Sequence, residues 1–102
     1  MASIEDVLIM KLMTEKTVRI RDHFDAIAII LDNFEKLDAK RFWANSKQSN
    51  IDQHIRERLT SFLADIKKGL VKKLWKEFTE REFIREQEVT LKERIKKLLE
   101  SY

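Results

Sequence analysis

Residues 51–78 read IDQHIRERLTSFLADIKKGLVKKLWKEF, and this stretch decides the fold class of the chain. Its apolar side chains recur at steps of three and four residues, the spacing of one helix face, over about seven turns. Gly69 lies inside the pattern and costs a helix about 1 kcal/mol relative to alanine, which this much apolar contact outweighs. The spacing therefore predicts one long helix through Gly69. The residues on its core side are Ile51, Ile55, Leu59, Phe62, Leu63, Ile66, Leu70, Leu74 and Phe78.

The composition favours helix along the rest of the chain as well. The 102 residues include no proline and one glycine, so the usual residues of turns and strand ends are nearly absent. Hydrophobic residues make up 43% of the chain, and its 21 basic side chains nearly balance its 18 acidic ones, so charge repulsion does not prevent folding. Because single domains commonly contain about 100–150 residues, we expect residues 1–102 to form one all-α domain.

Two helices are predicted in the N-terminal third. Ser3 is a good N-cap for a first helix over residues 4–15, with Asp6 in its first turn. A second helix over residues 18–36 has the four-and-three spacing of a heptad-packed, coiled-coil seam. Whether residues 14–17 separate these helices stays open. The seam residues of the second helix are Ile20, Phe24, Ile27, Leu31 and Phe34.

Polar residues mark the remaining boundaries. Asp38 is expected to cap a short turn over residues 39–44, and NSKQSN, residues 45–50, is the clearest loop. Asn50 has a glutamine three residues later, and Thr79 has a glutamate three residues later. Both pairs predict capping boxes, which start the long helix at residue 51 and a last helix at residue 80. Whether residues 78–80 break the chain of helices stays open.

Tight connections between such helices are typical of an antiparallel bundle of about four helices. A competing topology is a pair of long helical hairpins that completes its core by dimerisation. The first predicted helix favours the second topology, because its VLIMKLM segment is apolar on nearly every face.

The residue types needed for catalysis are scarce. The chain has no cysteine, which excludes thiol catalysis, disulfides and cysteine-ligated zinc. His23 and His54 do not stand at a metal-ligand spacing, and one glycine cannot build a glycine-rich phosphate loop. We therefore expect no enzyme activity, no catalytic residue, no metal, no cofactor and no small-molecule substrate.

The sequence also predicts no membrane span. No apolar run approaches the roughly 20 residues that a spanning helix needs. The first apolar stretch follows acidic rather than basic residues, unlike a secretory signal. We expect a soluble, cytoplasmic protein.

Some apolar residues exceed what the core of a small helical bundle needs, and this indicates a surface that binds another protein. Aromatic residues and methionine exposed together are typical anchors of interfaces. We therefore predict a non-enzymatic adaptor, regulatory or assembly subunit that has itself, as a homo-oligomer, among its partners. Packing in the chain's own core explains the same residues, and the sequence does not separate the two. The predicted interface residues are Leu8, Met10, Met13, Phe42, Trp43 and Phe83.

The alternative prediction is a small nucleic-acid-binding protein that uses the face from Lys67 to Arg85. Lysines four residues apart form a stripe beside a tryptophan, so they could follow a phosphate backbone while the ring stacks on a base. The net charge of +3 is small for such a role, and a solvated helix face accounts for the lysines without a ligand. The residues of this alternative site are Lys68, Lys72, Trp75, Lys76 and Arg85.

Overall fold

Helices form the whole regular structure of the part of the chain described here. The computed structural model describes residues 3–14 and 20–102. These residues contain no strand, which confirms the all-α prediction. The Cα radius of gyration of 12.8 Å is close to the value of about 13 Å expected of a compact chain of this length. The six α-helices of these residues are α1 (Ile4–Met13), α2 (Ile20–Asn33), α3 (Ala39–Gln48), α4 (Asp52–Lys67), α5 (Leu70–Thr79) and α6 (Arg85–Glu100).

Every helix contributes to one hydrophobic core. Helix α1 packs against α2, α3 and α4, helix α6 packs against α2 and α4, and helix α5 packs against α4 and α2. The core therefore lies between α1, α2, α4 and α6, with α3 and α5 covering its sides. Large side chains that are fully buried there include Leu8, Leu12, Ile30, Phe42, Trp43, Ile55, Leu59, Phe62, Leu91, Ile95 and Leu98.

The first predicted boundary is confirmed at its N-terminal end. The Ser3 hydroxyl accepts a hydrogen bond from the backbone N–H of Asp6 at 3.2 Å. Helix α1 ends at Met13 rather than residue 15. The predictions about residues 15–17 and about the start of the second helix at residue 18 lie outside the described residues. After Asn33, α2 continues directly into a short 3₁₀ turn, Phe34–Lys36.

An ion-pair network joins α1 to α2. The Nζ atom of Lys11 lies 3.0 Å from Oδ1 of Asp22 and 3.1 Å from Oδ2 of Asp25. The hydrogen bonds to Asp22 and then Asp25 raise the pKa of the Lys11 ammonium above its ordinary value, because both carboxylates favour the charged form.

The predicted loop over residues 45–50 is largely helical. Asp38 caps the helix as expected, since its carboxylate accepts from the N–H groups of Lys40 and Arg41. The helix continues to Gln48, and Ser46 within it is buried, with its hydroxyl donating to the carbonyl of Phe42 at 2.9 Å. Buried serine satisfied in this way does not interrupt a helix.

The predicted capping box at Asn50 is wrong. Asn50 has a φ of 58°, in the left-handed region that ends helices, so it belongs to the end of α3. The N–H of Ile51 donates back to the carbonyl of Ser46 at 3.0 Å and closes this turn. The side chain of Gln53 instead donates to the Tyr102 hydroxyl at 2.9 Å.

The long helix predicted over residues 51–78 is divided at Gly69. Gly69 has a φ of 79°, which glycine adopts without strain, and it separates α4 from α5. Beyond the bend α5 packs against α4 and α2, and Val71, Leu74 and Trp75 on its apolar side still reach the core. Because both halves keep their apolar spacing, the pattern does not reveal the bend.

The last predicted boundary is displaced. Helix α5 ends at Thr79, and the next residue, Glu80, has a φ of 61°. The Thr79 hydroxyl donates to the carbonyl of Trp75 at 2.7 Å and does not start a capping box with Glu82. Helix α6 starts at Arg85 instead, where the side chain of Gln87 accepts from the N–H of Ile84 at 3.0 Å.

Two polar side chains form hydrogen bonds with the ends of helices that are distant in the sequence. Buried Glu5 of α1 accepts a hydrogen bond from the N–H of Asp38, the N-cap of α3, at 3.2 Å. At the end of α2, the Arg94 guanidinium of α6 donates to the carbonyls of Ile30, at 3.3 Å, and Leu31. Carbonyls in the last turn of a helix lack helical partners, so a cation there satisfies them and complements the helix dipole.

Candidate protein interface

A groove of about 250 Å³ lies between the first turns of α2 and helix α5. The side chains of Ile27, Val71 and Leu74 line it and are buried. Ile20 and Leu70 line it as well, but they stay 48% and 44% exposed. The described residues, 3–14 and 20–102, therefore leave a concave apolar surface that their side chains do not fill. We call this surface the α2–α5 groove.

Helix spacing explains how these side chains come together. On α2, Ile20, His23 and Ile27 are separated by three and four residues, so they share one face. On α5, Leu70 and Leu74 are one turn apart. Because α5 begins directly after the bend at Gly69, its first residue, Leu70, stands at the edge of the groove rather than in the core.

His23 forms a polar part of the lining. Its ring is 1% exposed and packs edge to face on Phe62, with ring centroids 5.2 Å apart. The Nε2 atom lies 3.3 Å from Nη1 of Arg58. A guanidinium can only donate, so Nε2 accepts in this contact. Helix α2 therefore turns the His23 ring toward α4, where Phe62 and Arg58 contact it.

The rim of the α2–α5 groove carries both signs of charge. Lys73 and Glu77 of α5 line the groove and are exposed. Within the described ranges, 3–14 and 20–102, neither side chain forms an ion pair. Asp65 of α4 is a third charged residue of the lining. The rim thus presents a lysine and a glutamate, one turn apart, to any molecule that covers the apolar surface.

Four of the six predicted interface residues lie inside the chain's own core. Leu8, Phe42, Trp43 and Phe83 are all buried, so they are corrected from surface anchors to packing residues. Phe42 and Trp43 contact each other edge to face at 4.9 Å, and the indole Nε1 of Trp43 donates to the carbonyl of Leu98 at 2.6 Å. These contacts use the surfaces that a partner would have needed.

The two predicted methionines are on the surface. Met10 is 66% exposed and lines a shallow depression with Arg41 and Asn45, between α1 and α3. Met13 is exposed at the last residue of α1. Neither residue lines the α2–α5 groove, so the predicted set does not form one surface.

The residues of the alternative basic site are also only partly brought together. Trp75 is corrected from a stacking platform to a core residue, because it is 8% exposed and its ring contacts Phe24 and Phe83, each at 5.3 Å. Lys68, Lys72, Lys76 and Arg85 are exposed. The Nζ atom of Lys76 lies 2.8 Å from Oε1 of Glu82. This hydrogen bond holds the pKa of the Glu82 carboxyl below its ordinary value.

Part of the basic face does converge across α5 and α6. Lys72 of α5 lines one depression together with Arg85 and Lys92 of α6. Glu88 and the apolar side chains of Phe83 and Val89 line the same depression. The cluster is therefore smaller and less basic than the sequence suggested.

Sequence reasoning missed Ile20 and Leu70 as surface residues. Both occupy seam positions of their helices, and the spacing assigned both to the core. The only signal at Leu70 was its place directly after the single glycine of the chain, which would have placed it at the first turn of a separate helix.

Two other kinds of feature are absent from the described ranges. They contain no group of three or more histidine, cysteine, aspartate or glutamate side chains that could hold a metal ion. No helix among them combines the length and the apolar character needed to cross a membrane. No family model, no curated protein and no solved structure matches the chain.

Proposed function

We propose that the chain is a non-enzymatic helical module that binds protein through the α2–α5 groove, as an adaptor, regulatory or assembly subunit. A second copy of the chain is one of its partners. The observation that carries the proposal is the exposure of Ile20 and Leu70 at the edge of an apolar groove. Each fully buried aliphatic side chain of this size is worth about 1.5–3 kcal/mol, so covering two half-exposed ones is favourable.

The size of the groove favours a side-chain guest over a small-molecule ligand. Sites for drug-sized ligands usually enclose about 300–1,000 Å³, whereas this groove encloses about 250 Å³. An amphipathic helix that inserts one or two apolar side chains fits such a space, and grooves between helices commonly bind in this way.

One chain already completes its own hydrophobic core, and this limits how two copies can associate. Leu8, Phe42 and Phe83 are already buried within one chain. Association through the groove would therefore bury additional apolar surface outside a core that one chain already completes. The pair of open hairpins that completes its core by dimerisation, which the sequence left as an alternative, is not needed for the proposed function.

The experiment is light scattering on a sizing column over a range of protein concentrations, with two matched variants. Leu70→Glu places a charge in the groove, and Val89→Glu places the same charge at an apolar position of α6 that is 45% exposed and outside the groove. We expect the unmodified chain and Val89→Glu to dimerise and Leu70→Glu to remain monomeric with unchanged helical content. A monomeric unmodified chain at all concentrations would contradict self-association.

A second candidate function, binding to a nucleic-acid backbone, is favoured by one observation. Lys72, Arg85 and Lys92 line the same depression. Each phosphate contact contributes about 0.9 to the slope of log affinity against log salt concentration. Changing Lys72 and Lys92 together to glutamate should abolish a salt-dependent shift of a labelled oligonucleotide.

The control for this experiment changes two exposed lysines elsewhere, Lys36 and Lys40, to glutamate and leaves the shift in place. If the unmodified chain gives no shift even at low salt, nucleic-acid binding is removed as a candidate.

A further inference from the structure

We propose that the α2–α5 groove is the interface of a two-fold symmetric dimer, in which Lys73 of each copy forms an ion pair with Glu77 of the other. This inference rests on the proposed function and specifies its partner, its symmetry and the residues that select it. The two residues lie on the rim of one groove and have no ion-pair partner within the described part of a single chain.

Symmetry explains why the rim carries both charges. In a two-fold contact the same patch faces itself, so if residue i contacts residue j of the partner, then j contacts i as well. Each copy must therefore supply both members of any ion pair across the axis. The rim of the α2–α5 groove does so with Lys73 and Glu77. A groove selected to bind a strongly acidic or basic peptide would carry one sign of charge.

The geometry of α5 allows both ion pairs to form in one alignment. Lys73 and Glu77 are four residues apart, so they lie on one side of the helix. Two α5 helices related by a two-fold axis perpendicular to them run antiparallel. When Lys73 of one copy faces Glu77 of the second, Lys73 of the second faces Glu77 of the first. Leu70 lines the same groove, and in this alignment it faces the C-terminal end of α5 of the second copy.

Charge reversal tests the pairing directly. Lys73→Glu alone gives a homodimer with glutamate facing glutamate at both pairs, and Glu77→Lys alone gives lysine facing lysine. Mixed in equal amounts, the two variants restore opposite charges at both pairs. We expect each single variant to raise the dimer dissociation constant about tenfold and the mixture to recover within about threefold of the unmodified chain.

The measurement is analytical ultracentrifugation of each variant and of the mixture, with one variant carrying a fluorescent label so that mixed dimers are counted. Lys72→Glu is the matched control, because it makes the same change in net charge on the neighbouring residue, which does not line the groove. We expect it to leave the dissociation constant unchanged. Circular dichroism verifies that every variant keeps its helical content.

The outcomes separate the two levels of the proposal. If Leu70→Glu dissociates the dimer but the mixture of Lys73→Glu and Glu77→Lys does not recover, the groove is an interface and the two-fold ion pairing is wrong. If the single variants dimerise as tightly as the unmodified chain, the pairing is also wrong. If the unmodified chain is monomeric, self-association itself fails, and with it this inference.

Discussion

Replacing Gly69 with alanine tests whether α4 and α5 are two helices or one. Gly69 has a φ of 79°, and a Cβ atom built there has no heavy atom within 4 Å beyond those of the residue itself and its two chain neighbours. The substitution therefore creates no clash, and its effect comes from the backbone alone. An L-residue in the left-handed region costs about 1–2 kcal/mol, partly offset because alanine restricts the unfolded chain. We expect Gly69→Ala to lower the free energy of unfolding by about 1 kcal/mol.

A continuous helix through residue 69 gives the opposite sign. Alanine is favoured over glycine inside a helix by about 1 kcal/mol, so Gly69→Ala would then raise the free energy of unfolding. The two structures thus differ by about 2 kcal/mol in the expected effect of a single methyl group. In a chain of this size each kcal/mol shifts the melting temperature by about 4–8 °C, which is easily measured.

The assay is urea and thermal unfolding followed by circular dichroism, at one fixed protein concentration because association adds to apparent stability. Gly69→Asn should cost less than Gly69→Ala, since asparagine tolerates the left-handed region. Glu80→Gly is the reciprocal control: Glu80 has a φ of 61° without being glycine, so this change should not destabilise the chain. A rise in stability on Gly69→Ala would refute the bend between α4 and α5.

Three further changes test contacts that hold the fold. Trp43→Phe removes the indole hydrogen bond to the Leu98 carbonyl and should cost about 1 kcal/mol more than Trp75→Phe, measured by urea unfolding. Tyr102 donates to the Asp52 carboxylate, and this hydrogen bond raises the pKa of the phenol above its ordinary value of 10.0. Its contribution is therefore complete below pH 10.0 and is lost as pH rises through the raised pKa; Tyr102→Phe should flatten this alkaline loss of melting temperature. Arg94→Met removes the donor to two carbonyls at the end of α2 and should cost about 1–2 kcal/mol in thermal unfolding, with partial recovery in Arg94→Lys.

For each of these three predictions, one result would contradict the reasoning. If Trp43→Phe and Trp75→Phe lower the free energy of unfolding equally, the smaller side-chain volume, and not the lost hydrogen bond, explains the loss. If Tyr102→Phe loses melting temperature at alkaline pH as the unmodified chain does, ionisation of the Tyr102 phenol does not cause that loss. An Arg94→Met variant as stable as the unmodified chain would mean that water satisfies the carbonyls of α2 equally well.

The helical character and several helix starts were predictable because they depend on local chemistry. Ser3 and Asp38 cap their helices by accepting hydrogen bonds from N–H groups two or three residues away. Contacts over so short a range can be predicted from the order of residues alone. The prediction of one continuous helix through Gly69 is wrong. Apolar spacing reports which side of a helix is buried, and both α4 and α5 bury one side, so the spacing continues across a bend that depends on φ.

The candidate site was less predictable because it depends on how much apolar surface one chain can bury. Leu8, Phe42 and Phe83 looked surplus to a small core, yet six helices bury them completely or nearly so. Trp75 is adjacent in sequence to lysines, but neighbouring side chains on a helix point about 100° apart, so the ring enters the core while the lysines stay outside. Leu70 has core spacing, but the bend at Gly69 leaves it half exposed.

The dependence of the fold on α6 has a consequence for how the chain folds during synthesis. Leu91, Ile95 and Leu98 of this helix are fully buried, and Arg94 holds the end of α2, more than 60 residues earlier in the chain. A nascent chain that has emerged from the ribosome only as far as α5 therefore exposes the apolar sides of α2 and α4. Until residues 85–100 emerge, that surface is open to chaperones and to wrong partners, so slowing translation over this segment should increase aggregation.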